Sequence, residues 1–85
     1  MNIGEMQNAS EMLESYGANI DNQYMSDLGA SVLYLIDNPS IPNEVKRVIL
    51  TEAIERLNAI GDSEEDETYL DCAALLEYEL NEIKP

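Results

Sequence analysis

Apolar residues along the chain recur at spacings of three and four, the period of one helix face, and they do so in four separate runs. In the first, over about 3–16, Met6, Ala9, Leu13 and Tyr16 share a face. Asn2 and Glu5 are placed to form a capping pair, and Gly17 is a natural C-terminal stop. The second run, about 22–37, carries Met25, Leu28, Val32 and Leu35, widened by Tyr24 and Ile36. Gly29 inside it costs about 1 kcal/mol relative to Ala, a cost that a close helix contact would explain. Asp37-Asn38-Pro39-Ser40-Ile41-Pro42 ends the run, because each proline pushes its predecessor out of helical geometry.

The third helix is predicted over about 42–60, with Pro42 in its first turn, where a missing N–H costs nothing. Val45, Val48, Ile49, Ala53, Leu57 and Ile60 make a broad apolar face, extended by Leu50 and Ile54. So wide a face predicts a helix at the centre of the fold, closed by Gly61. The fourth helix, about 63–83, has Ser63 as its expected N-cap and Glu64, Glu65, Asp66 and Glu67 in its first turn, where carboxylates complement the helix dipole. Tyr69, Ala73, Leu76, Leu80 and Ile83 form its apolar stripe. No segment alternates with the period of a strand. The expected fold is an all-α, small four-helix bundle in a single domain, residues 1–85.

Charge changes the picture most. The 85 residues hold 18 Asp and Glu against 4 Lys and Arg, a formal net charge of -14. Such a field repels nucleic acid and anionic membrane, attracts basic surfaces, and strains the compact state by self-repulsion. Solubility alone is the simpler account of it. The lone Cys72 has no internal disulfide partner, which fits a reducing compartment. Residues 1–20 lack the pattern of a signal peptide, and no apolar stretch approaches the ~20 residues of a membrane span. A cytoplasmic protein is expected.

Catalytic chemistry finds little support. His is absent, which removes the commonest general base. Cys72 sits among apolar residues with no basic neighbour, so it reads as a core residue. Without His, and with a single Cys, a zinc site is not expected. Asp62, Glu64 and Asp66 alternate as in a calcium loop, but Glu67 stands where the turn glycine belongs and Ala73 where the closing bidentate Glu belongs. Neither an enzyme nor a cofactor or metal site is expected.

One stretch carries a family likeness. Asp27-Leu28-Gly29-Ala30-Ser31-Val32-Leu33 resembles the attachment motif of acyl carrier proteins, which are also acidic, four-helical and of similar length. Ile41-Pro42 is similar to the pair before that family's third helix. The resemblance implies a phosphopantetheine arm on Ser31 and a second helix beginning there. The chain departs from the pattern at Ala30, where the family has Asp, in the short interval from Ser31 to Ile41, and in its long final helix. On the residues themselves Ser31 reads as a mid-helix serine.

The acidic surface remains. Glu64, Glu67, Asp71, Tyr78 and Glu82 are expected along one flank of the fourth helix, with Glu77 on the same side and Asp62, Glu65 and Asp66 at its start. Neighbours three or four apart on a helix stand about 5–6 Å apart, so the row resembles one edge of a nucleic-acid charge array. Like-charge pairs such as 64/67 and 67/71 each cost a few tenths of a kcal/mol. Tyr16 and Tyr69 are expected in the core, whereas Tyr34 and Tyr78 fall off their stripes and suit interface anchoring. The functional expectation is a small acidic inhibitor that occupies the nucleic-acid-binding surface of a basic protein, in the manner of phage or mobile-element anti-CRISPR and anti-restriction products. It would not itself bind nucleic acid or membrane. Three alternatives stand beside it. They are a helical adaptor, immunity or antitoxin protein that binds a basic partner without mimicry; a carrier protein using Ser31; and a homo-oligomer, because the second and third helices have apolar surface to spare.

Overall fold

A computed structural model describes residues 2–84; Met1 and Pro85 lie outside them. Four helices follow one another, α1 (Ile3–Asn19), α2 (Gln23–Asp37), α3 (Asn43–Glu64) and α4 (Glu67–Glu82). They make an up-and-down bundle measuring 33 × 22 × 19 Å. Consecutive helices pack most extensively as the hairpins α1/α2 and α3/α4, and α4 closes back on α1. Met6, Leu13, Val32, Leu35, Leu50, Leu57 and Leu76 fill the axis and are fully buried, each worth roughly 1.5–3 kcal/mol relative to exposure.

Capping sets most helix starts. The Asn2 side chain accepts from the Glu5 N–H at 3.1 Å, as expected. The reciprocal half of the box is replaced by a tertiary contact: the Asn2 N–H donates to Glu79 Oε1 of α4 at 3.0 Å. Asn22 caps α2 by accepting from the Met25 N–H at 3.2 Å. Pro42 precedes α3 as its N-cap residue, one position before the helix proper.

Two glycines do something other than end helices. α1 continues through Gly17 to Asn19. A Cβ at Gly17 would lie 2.6 Å from Ser26 Oγ and 2.7 Å from the Ser26 nitrogen, so the residue permits α1 and α2 to touch. Gly61 likewise sits within α3, where a Cβ would meet the Leu70 side chain at 2.6 Å. α3 therefore runs past the expected stop to Glu64 and closes on Glu65, whose φ of 53° is left-handed. The expectation at Gly29 holds: a Cβ there would stand 2.7 Å from the Ser10 carbonyl oxygen. Ser10, buried opposite, donates its hydroxyl to the Gly29 carbonyl at 2.7 Å.

The start of α4 shifts in consequence. Ser63 is not its N-cap but lies in the last turn of α3, donating to the Ile60 carbonyl at 3.4 Å. Asp66 takes the role and accepts from the Thr68 N–H at 2.9 Å. α3 is also not central. Its buried side is Leu50, Ala53, Ile54, Leu57, Ile60 and Gly61, while Val45 and Val48 face outward, Val48 at 69% exposure. An apolar face wider than the bundle's seam leaves its margin in solvent. Tyr16 and Tyr69 are half-buried at the rim rather than in the core, packed edge to face at 5.9 Å.

Candidate interaction surface

The acids expected at the head of one helix are divided between two. Asp62 and Glu64 stand in the last turn of α3, Glu65 is the residue that reverses the chain, Asp66 caps α4, and Glu67 opens it. The 64/67 pair is therefore not a helical neighbour pair, and the alternation at 62, 64 and 66 spans a helix end and a cap rather than a loop. Along α4, Glu67, Asp71, Tyr78 and Glu82 fall within a sector of about 60°, at ~100° per residue. That sector points away from Cys72, Ala73 and Leu76, which face the core. Glu77 and Tyr78 border a shallow outer depression of about 220 Å3 with Ala74 and Asn81. The row is a corner with one arm rather than a straight ladder. All of these residues are exposed except half-buried Asp66.

The corner is held by its own contacts. The Tyr16 hydroxyl donates to Glu64 Oε1 at 2.8 Å. That hydrogen bond, then burial, then the nearby Glu64 charge raise the Tyr16 pKa above its ordinary value. Burial, followed by the charges of Asp66 and Glu64, raises that of Tyr69. Asp66 is committed to its cap. Asp62, Glu65, Glu67 and Asp71 have no such local employment among the described residues.

Topology adds what chain order conceals. In an up-and-down bundle the α1–α2 turn lies at the same end as the α3–α4 corner, so Asp21, left-handed at φ 55°, joins the same pole. The opposite pole holds Lys46, Arg47 and Lys84. Two of these cations serve the backbone: Arg47 donates to the Ile83 carbonyl at 2.8 Å and Lys46 to the Pro39 carbonyl at 2.9 Å. Arg56 lies over the Tyr24 ring at 5.4 Å and makes the one ion pair among the described residues, with Glu52 at 3.9 Å. From Leu57 to Ile83 there is no Lys or Arg, against nine Asp and Glu. The molecule is thus polarised along its length, with its negative pole almost uncompensated.

Sequence reading missed a second exposed feature. Tyr24 and Val48 border a groove of about 440 Å3 between α2 and α3, with Arg47, Thr51, Glu52 and Glu55. Five of the nine large apolar or tyrosine side chains exposed among the described residues are on α2 and α3: Tyr24, Leu33, Tyr34, Val45 and Val48. The excess of apolar residues on those helices was the legible signal. The position of Tyr24 beside Val48 was not. Ser31 lies in the third turn of α2, its hydroxyl donating back to the Asp27 carbonyl at 3.0 Å. Cys72 is buried, and burial, followed by the Glu5 charge, pushes its thiol up to about 11. Among the described residues no helix is long and apolar enough to cross a membrane.

No protein-family model matches the chain, and neither a curated protein nor a solved structure does so.

Proposed function

We propose that this protein is an acidic inhibitor that sits on the nucleic-acid-binding surface of a basic protein, as phage and mobile-element anti-defence products do in a host cytoplasm. The observation that carries the reading is the uncompensated negative pole. Asp62, Glu65, Glu67 and Asp71 are presented outward from two helices, and no Lys or Arg lies between Leu57 and Ile83. Glu67 favours the α4 dipole, but the carboxylates of Asp62, Glu65 and Asp71 make no hydrogen bond or ion pair among the described residues and cost the fold repulsion, so a cationic partner gives them a use. Long-range attraction would speed encounter by roughly 10–1,000-fold. Tyr78, 70% exposed beside Glu77, would supply the desolvated contact that sets the lifetime.

The test is capture of a partner from host-cell lysate, followed by competition with duplex DNA and with RNA. Nucleic acid is expected to displace the partner. A partner that stays bound at saturating nucleic acid would remove mimicry and leave the adaptor reading, which the exposed Tyr24 and Val48 favour. Reversal of Glu67, Asp71 and Glu82 to Lys should slow association by about tenfold or more with helix content intact. Unchanged association would move the interface off α4.

A further inference from the structure

At the pole opposite the acid corner, the ends of all four helices enclose a half-open cavity of about 460 Å3, within the ~300–1,000 Å3 typical of small-ligand sites. Its walls are apolar, from Ile3 of α1, Leu35 and Ile36 of α2, and Ile83 just past α4. Against them stand two carboxylates one turn apart on α4, Glu79 and Glu82.

Glu79 is the unusual member. It is 7% exposed, the one acidic residue buried among the described residues. A buried carboxylate is costly unless it is paired and hydrogen-bonded, and it has about four acceptor sites. The described structure supplies one donor, the Asn2 N–H at 3.0 Å. No cation among the described residues lies within ion-pairing distance of it. Lys46 also borders the cavity, but its ammonium donates to the Pro39 carbonyl at 2.9 Å. Among the described residues two carboxylates face this one ammonium, which keeps its charge while donating, so their sum at the cavity is negative.

We propose that this cavity is a binding site for a small amphipathic cation, a primary ammonium on an aliphatic stem. The ammonium pairs with Glu79, with Glu82 at its margin, and the stem lies against Ile36 and Ile83. Glu82 also ends the α4 row, but Glu79 takes no part in that row or in the acid corner, so the site stands or falls apart from the nucleic-acid-mimic reading.

Three probes test it by amide chemical-shift titration: n-hexylammonium, 1-hexanol (stem without charge) and methylammonium (charge without stem). Hexylammonium is expected to give saturable shifts centred on Ile3, Ile36, Glu79 and Ile83, with affinity about tenfold or more above either control. Glu79→Gln keeps an oxygen for the Asn2 N–H and should reduce hexylammonium affinity about tenfold, whereas Glu67→Gln at the other pole should leave it unchanged. The proposal is overturned if hexylammonium gives no saturable shifts, or if it binds no better than methylammonium, which would mean attraction to the general negative field. Equal loss in the two variants would overturn it as well. The three-probe comparison uses the unaltered protein, so it decides the matter even if Glu79→Gln fails to fold.

Discussion

The α1–α2 seam and the α3–α4 corner are both places where two helices of a hairpin meet. At the seam each residue is fitted to its neighbour. Gly17 and Gly29 remove the Cβ atoms that would hold the helices apart, and Ser10 spends its hydroxyl on the Gly29 carbonyl. At the corner the residues work against local preference. Glu65 holds a left-handed conformation that a glycine adopts freely. Asp62 and Glu64 stand at a helix C-terminus, where the dipole disfavours negative charge. The strain is shared, since the α1–α2 turn has its own left-handed acid in Asp21; of the two junctions only the corner also sets carboxylates at a helix C-terminus, as a surface kept for binding would show.

Substitution at the seam is expected to have the largest effect. Gly29→Val places branched atoms against the Ser10 carbonyl and the Glu14 backbone, and overpacking of this kind is expected to cost about 3 kcal/mol. Urea denaturation measures it; a loss below ~1 kcal/mol would mean the seam yields freely. Next in size is the response to alkali. The folded protein holds the Cys72 thiol at about 11 against an ordinary 9.0. Its contribution to stability is therefore whole below pH 9 and is lost as pH rises through 11. The raised Tyr16 and Tyr69 act in the same direction above pH 10. Thermal melts should fall across that window, and thiol labelling of the folded protein at pH 8 should be slow. Rapid labelling would show a thiol more open than its burial implies.

At the corner the expected sign reverses. Glu65→Gly relieves the left-handed strain and removes one charge, and should stabilise by about 1 kcal/mol. Asp62→Lys puts a cation at the C-terminus of α3 and should add roughly 0.3–1 kcal/mol, more at low salt than at high. If the corner serves binding, both variants melt higher while Asp62→Lys associates more slowly with a basic partner. Destabilisation by either would show that the corner, like the seam, is fitted to the fold.

The sequence carried the four helices because each needs only its own apolar stripe at a period of 3.6. Met6, Leu13, Val32, Leu35, Leu57 and Leu76 were legible as core on that ground alone, as was the capping role of Asn2. What it misplaced were the ends marked by glycine. A glycine that stops a helix and one that admits a neighbouring helix look alike in one dimension, and only the approach of Ser26 to Gly17 and of Leu70 to Gly61 separates them. That shift carried Asp62 and Glu64 from the head of α4 to the tail of α3. Composition fixed how much negative charge the molecule carries. Its arrangement was decided by antiparallel packing, which brings Asp21 to the pole of Asp62 and sends Lys46, Arg47 and Lys84 to the other. The same packing buries Glu79 in a cavity made from four helix ends. Such proximity depends on how the helices pair, and hydrophobic periodicity says which face is buried without saying against what.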